Sequence, residues 1–345
     1  MKIKKLIIGL TIFSTVSFVI VAGLEVYFKT EHIKRQKATE QALGGSTGNM
    51  VKSDVSGLVF EFAPNQWENN SQGYRDYEYS FYKHPDIFRI VVIGDSIAEG
   101  HGISLDESFP KVLEKQLNEA NLGMKFEVVN LSRSMYQTGQ HLVQLDTEVF
   151  QYDPDLLIWS HVPNDVQITL YHDRSLEEFD IIDYFHEPQS YLLDFIDYKL
   201  FFLREKYLAA VNGCDEVLWS QYLNCVYWDD VTGDIERIAN TVNDEELDTF
   251  FVVHPSLEAS MNDPNLYTLE QYHRDMGSLL TENGLEYLDV LPLYRHYQLD
   301  ELLLPMLPGN PYPDVVHPNA FGHQLIADEL FQVVMQKVSN PEDSN

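Results

Sequence analysis

The sequence predicts an α/β fold: an open, five-stranded parallel sheet with helices on both faces. Three observations predict it. Five apolar runs of strand length recur, at 90–93, 126–130, 156–159, 249–253 and 285–288. The first, Ile90-Val91-Val92-Ile93, is continuous rather than alternating, as expected of a strand covered on both faces. Between the runs lie stretches with apolar residues at helical spacing, the pattern of βα units feeding a parallel sheet.

The elements follow in chain order. Residues 6–24 carry no charge and come just after Lys2, Lys4 and Lys5. That length suits a membrane-crossing helix of about 20 residues. Two readings are open: a signal peptide cleaved near Val21-Ala22-Gly23, or a helix retained as an anchor. The length of the run favours the anchor. Basic residues flank both ends, so charge alone does not orient the helix. Residues 38–56, with Gly44-Gly45-Ser46-Thr47-Gly48, read as a flexible tether following an anchor segment of residues 1–37.

The body begins near residue 57 and runs to about 340. Strand 90–93 ends in Gly94. A helix over 110–120 then carries Leu113, Leu117 and Ala120 on one face, with Gly123 as its stop. Strand 126–130 leads to a helix bearing Leu142, Leu145 and Val149. Strand 156–159 follows the turn signal Asp153-Pro154. Strands 249–253 and 285–288 are separated by a helical stretch near 265–282, and the last helix starts near Asn319 with Ile326, Leu330, Val333 and Val334 inward.

Residues 166–245 interrupt the alternation. Fourteen of these 80 residues are aromatic, so the segment is not a solvated linker. It reads as a helical insertion with its own small core. A lid or acyl-binding wall is the sharper alternative, and Leu200-Phe201-Phe202-Leu203 suits contact with a membrane or a second subunit.

Charge separates the two ends of the chain. It has 23 Lys and Arg against 54 Asp and Glu, a net charge of −31. Residues 1–37 hold seven of the basic and two of the acidic residues, which leaves 16 basic and 52 acidic residues in the remainder. So acidic a body repels phosphate backbones and excludes nucleic acid as a main partner. It is most simply placed outside the cytoplasm, periplasmic or at the cell surface, where acidity suits a salty medium or keeps it off anionic headgroups. In an oxidising compartment Cys214 and Cys225 can pair, the alternative being two buried thiols. No CxxC or HExxH spacing suggests zinc, and Asp229-Asp230-Val231-Thr232-Gly233-Asp234 lacks the spacing of a calcium loop. No metal or cofactor is expected.

Three short motifs carry the chemistry. Gly94-Asp95-Ser96 directly follows a buried strand, which holds a serine hydroxyl at the sheet edge while the glycine permits a sharp turn. Asp314-Val315-Val316-His317-Pro318 sits before the last helix. An Asp three residues before a His can bond its Nδ1, fix the tautomer and leave Nε2 to take a serine proton. Val162-Pro163-Asn164-Asp165 follows the third strand, where an Asn amide can donate to an oxyanion. One such donor is worth about 3–4 kcal/mol. Each motif alone is common. All three at strand ends or helix starts of one sheet point to acyl transfer. His101, His161 and His254 also lie near strand ends, where histidines are ordinarily packed or solvated.

These motifs resemble those of the SGNH/GDSL hydrolases, serine esterases and lipases on a flavodoxin-like, three-layer α/β/α fold. The likeness spans roughly 57–338. It implies Ser96 as nucleophile, Asp314 and His317 as the other triad members, and Asn164 in the oxyanion hole. The lead-in Ser71-Gln72-Gly73-Tyr74-Arg75-Asp76 resembles that of membrane-anchored bacterial members. One block departs from the pattern. The glycine whose N–H completes the oxyanion hole is replaced by Met135, within Asn130–Tyr136, and the glycine before Asn-Asp by Val162. The Met135 N–H can still donate, but its side chain crowds the pocket.

The implied activity is hydrolysis of an acyl ester, of a carbohydrate, envelope polymer or small lipid, through an acyl-enzyme. An acyltransferase would use the same residues. A non-catalytic, membrane-anchored binding protein on the same fold is the alternative from another class.

Overall fold

The computed structural model describes residues 2–42, 50–165, 188–214, 219–305 and 314–339. The glycine-rich part of the expected tether and residues 166–187 of the expected insertion lie outside them. The chain divides into two compact units, residues 1–52 with 169–213, and residues 53–168 with 214–345.

Among the described residues, the first unit holds two packed helices and the short strand Met50–Lys52. Helix α1, Lys2–Ala42, has a segment Thr11–Lys37 long and apolar enough to cross a membrane. Its apolar side chains stand exposed, Phe13 at 71% and Phe18 at 74%, as only a partner or an apolar solvent would tolerate in such number. It packs through Phe28 on Phe195 of a 22-residue helix, Tyr191–Asn212, with ring centroids 4.1 Å apart. The Glu25 carboxylate accepts from the Ser190 hydroxyl at 2.9 Å and the Tyr191 and Leu192 N–H groups at 2.7 and 3.0 Å. An acid on the free donors of a helix start is favourable for both hydrogen bonding and the helix dipole. Leu200 and Leu203, from the aromatic run, are exposed.

The second unit holds the sheet. Its strands are β1 Ile87–Ile93, β2 Lys125–Asn130, β3 Leu156–His161, β4 Thr249–Val253 and β5 Glu286–Asp289. All neighbours are parallel, in the order β2-β1-β3-β4-β5. The architecture is thus the five-stranded parallel α/β sheet expected. The register sets Val91 between Val129 and Leu157, and Trp159 beside Phe251, whose rings stack at 5.5 Å. β1, β3 and β4 are apolar and buried nearly throughout, as strands covered on both faces must be.

The strand order fixes where the helices go. Chain progress reverses after β2, so right-handed crossovers place the β1–β2 helix, Phe109–Glu119, on one face and the later crossovers on the other. The contacts agree. Phe109–Glu119 packs with the last helix, Ala320–Ser339, while Trp219–Asp244 packs with Thr138–Thr147 and Glu270–Glu282. Val231, Ile235, Ile238 and Val242 of Trp219–Asp244 belong to the main core. The latter part of the expected insertion is therefore a covering helix of the sheet, which its apolar spacing serves. Cys214 and Cys225 are disulfide-bonded, their Cα atoms 6.2 Å apart, tying the start of that helix to the preceding chain.

Candidate active site

The reversal of strand order puts the carboxyl ends of β1, β2 and β3 side by side, and a crevice opens there in sheets of this topology. β1 runs into Gly94, Asp95 caps the next turn, and Ser96 opens the one-turn helix Ser96–Glu99. Gly94 is required by crowding. A Cβ there would lie 2.6 Å from the Ser160 Cβ and 3.0 Å from the Ser160 carbonyl oxygen of β3. Gly100 is required both by its backbone, which closes the turn at φ +86°, and by crowding, since a Cβ there would lie 2.8 Å from the Ser108 Cβ. The Asp95 carboxylate accepts the Ile97 N–H at 2.9 Å, and burial pushes its carboxyl above the usual range despite that bond.

Arg75 clamps this turn from outside. Its guanidinium donates to the carbonyls of Glu99, Gly100 and Ile103 at 3.0, 2.8 and 2.8 Å, and to Glu68 at 2.8 Å. The neighbouring Asp76 accepts the Asn130 N–H at 2.7 Å and pairs with buried Lys111 at 2.5 Å. Sequence reading found this segment only as a likeness. Its physical task is to hold the ends of β1 and β2 in place.

Asp314 and His317 meet Ser96 from the other end of the chain. One Asp314 oxygen accepts the Val316 and His317 N–H groups at 2.9 and 3.0 Å, which closes the turn. The other accepts from His317 Nδ1 at 2.8 Å, and His317 Nε2 lies 2.8 Å from Ser96 Oγ. Burial acts to raise the Asp314 carboxyl, but the His317 and Val316 bonds outweigh it and hold it below the usual range. The ionised Asp314 therefore fixes the tautomer in which Nε2 has a free lone pair toward the serine hydroxyl. That is the arrangement needed to remove a proton from Ser96 as it attacks a carbonyl.

Met135 and Asn164 both arrive at this edge. The ladder between β1 and β2 continues past the strands, Leu131 N–H to Val92 and Arg133 N–H to Gly94, at 2.8 and 3.0 Å. Ser134 then donates its N–H to the buried Glu99 carboxylate at 3.1 Å, with its hydroxyl on the same group. Met135 follows at φ +72°, in the left-handed region, with its side chain 39% exposed. The glycine of the resemblance is thus explained by backbone conformation, and Met adopts the same conformation at a cost of about 1–2 kcal/mol. Asn164 is exposed in a turn that buried Asp165 holds, its carboxylate accepting the Val162 N–H at 3.0 Å. Thr138 donates its hydroxyl to the Asp165 carbonyl at 2.8 Å, fastening that turn to the helix after β2. Burial, then Asp95, pushes the Asp165 carboxyl well up.

Glu99, Arg75 and Asp165 were not legible as site residues. Glu99 and Arg75 act through contacts distant in sequence, although Glu99, one turn after Ser96, had a local hint, whereas Asp165 holds its own turn through Val162. Of the histidines near strand ends, His161 and His254 are buried, and burial pushes both down to about 3. They serve as neutral packing groups, His254 bonded to Ser160 Oγ at 2.9 Å. His101 differs: it is exposed, with its ring 4.4 Å from that of His317.

Comparison with known proteins adds a sequence match and several structural ones. The GDSL-like Lipase/Acylhydrolase family matches residues 92–325. No curated protein matches the chain. An acetyl xylan esterase from Geobacillus stearothermophilus is similar at 17% identity and a TM-score of 0.43, over 71% of this chain and 93% of that one. A lipase/acylhydrolase from Enterococcus faecalis is similar at 12% identity and a TM-score of 0.43, over 72% and 96%. An alpha/beta hydrolase enzyme from the metagenome of Lake Arreo, Spain, is similar at 18% identity and a TM-score of 0.43, over 73% and 96%.

Proposed function

Because the chain belongs to the GDSL-like lipase/acylhydrolase family and is a serine ester hydrolase, we propose that Ser96, His317 and Asp314 are its triad and that it acts outside the cytoplasm. The observation that carries this is the unbroken chain of hydrogen bonds from Ser96 Oγ through His317 to Asp314, each at 2.8 Å.

The reaction runs in two halves. His317 Nε2 takes the Ser96 proton as Oγ attacks the ester carbonyl. The oxyanion is met by the Ser96 N–H, the Asn164 amide and the Met135 N–H, with donors of this kind contributing about 3–4 kcal/mol each. His317 then protonates the leaving alcohol, and water, activated by the same imidazole, cleaves the acyl-enzyme. Candidate substrates are acyl esters of carbohydrates, envelope polymers or small lipids.

The arrangement along the chain fits that setting. Residues 1–37 would anchor, residues 38–56 would tether, and residues 57–340 would hold the hydrolase with its insertion. The apolar helix, the disulfide and the acidic body all support an extracytoplasmic place for it. Ser96→Ala is the test. Hydrolysis of p-nitrophenyl acetate falls by at least about 10⁴-fold with the melting temperature unchanged, and a fluorophosphonate no longer labels the chain. Turnover that survives the substitution removes the assignment.

A further inference from the structure

We propose that His101, Asp314 and His317 form a binding site for a zinc-like divalent cation, whose occupancy silences ester hydrolysis. The silencing rests on the assignment of His317 as base; the site itself does not. One ligand atom from each of the three residues lies within 4.8 Å of the others. His101 comes from the far end of the chain, immediately after the Ser96 turn, and its N–H is fixed on the Ser96 carbonyl at 2.9 Å. Its exposed ring lies against His317 and accepts or donates no hydrogen bond among the described residues. It is therefore held at the site by its backbone, with both imidazole nitrogens uncommitted among the described residues.

The geometry needs little adjustment. Zinc holds nitrogen and carboxylate ligands at about 2.0–2.2 Å in a tetrahedron, which separates the ligand atoms by about 3.4 Å. The Asp314–His317 pair, now at 2.8 Å, opens by about half an ångström, and His101 closes by about 1.5 Å at most. Two imidazoles and a carboxylate suit zinc, cobalt or copper, whereas calcium and magnesium prefer oxygen alone. The 52 acidic residues of the body favour any cation nearby.

Occupancy removes the base. A cation on Nδ1 leaves the single proton of a neutral imidazole on Nε2, which then cannot accept from Ser96. A cation on Nε2 takes that lone pair directly. In the first case the Nδ1–H bond is broken as the cation takes its place and the proton passes through solvent to Nε2; in the second no proton moves. The serine proton has no acceptor in either case.

The test is zinc chloride titrated into the full chain in detergent, followed by calorimetry and by p-nitrophenyl acetate hydrolysis. Zinc binds one per chain at micromolar concentration or below, hydrolysis falls with the same constant, and EDTA restores it. His101→Ala raises both constants by at least about tenfold, each measured against the variant's own uninhibited rate. Ser96→Ala, although inert, binds zinc as the parent does. Zinc bound equally well by His101→Ala overturns the site, and zinc bound without inhibition overturns the silencing. A parent chain that binds zinc through His101 yet hydrolyses no ester keeps the site and discards the triad.

Discussion

The turn after β1 and the loop after β2 are neighbours, joined by the Arg133 N–H on the Gly94 carbonyl, yet they meet unusual demands on the backbone in opposite ways. At the first, Gly94 and Gly100 occupy the demanding positions. At the second, Met135 stands at φ +72°. The constraints differ in kind. A Cβ at Gly94 would strike the Ser160 Cβ and main-chain carbonyl of β3, both deep in the sheet. The constraint at 135 is torsional, and its side chain is partly exposed. A torsional penalty of about 1–2 kcal/mol is bearable in a large domain; a collision with a buried strand is not. Only the first kind forbids side chains outright.

Gly94→Ala tests the harder constraint and has the largest expected effect. The added methyl forces the ends of β1 and β3 apart and moves Ser96 away from His317. Displacement of a reacting group by about 1 Å costs about 10²-fold in rate, and overpacking costs about 1–3 kcal/mol of stability. Steady-state kinetics and thermal unfolding of the full chain in detergent report both. Activity within about twofold of the parent would show that this edge yields, and the contrast between the two turns would collapse.

The first turn was legible in the sequence and the second only in part, for the same reason. Gly94 and Ser96 declare themselves because a glycine and a serine follow a continuous apolar run. Asp314 and His317 do so because their spacing closes one local turn. Met135 has no such local signature: its backbone is set by Arg133 on Gly94 and Ser134 on Glu99, both more than 30 residues away. The strand order was reachable from the alternation of elements and the right-handed crossover. The covering role of residues 231–242 was not, because an apolar helical face looks the same whether it covers its own small core or the main sheet.

Glu99 links the two turns, and its substitution has the next largest effect. It ends the Ser96 helix, and its carboxylate holds both the N–H and the hydroxyl of Ser134. Burial, partly offset by Arg75, pushes its carboxyl from 4.5 up to about 7. The folded chain therefore retains a proton that the unfolded chain releases at lower pH. Stability from this group is fully present below the unfolded value and is lost as pH rises through about 7. Between roughly pH 5 and pH 8 the parent should lose about 2–3 kcal/mol relative to Glu99→Gln, which carries no proton to release. Urea unfolding of both chains at the two pH values measures the difference. A difference that does not change with pH would mean that Glu99 does not carry the proton, and the two turns would be joined by an ordinary carboxylate.

The smallest effect separates the two things Met135 does. Met135→Gly relieves the left-handed strain of about 1–2 kcal/mol but gives back about 0.5–1 kcal/mol in backbone entropy, so stability rises by about 1 kcal/mol or less. Met135→Ala keeps the strain and removes only the bulk. If the side chain narrows the pocket, both variants accept longer acyl esters than the parent, and a series of p-nitrophenyl esters from acetate upward shows the same broadening in each. If the strained backbone instead sets the N–H that meets the oxyanion, only the glycine variant changes, and it changes kcat for every ester alike. The first outcome makes residue 135 a filter on the acyl chain. The second makes the loop after β2 as exacting as the turn after β1, and the soft constraint would prove to be the one that catalysis feels.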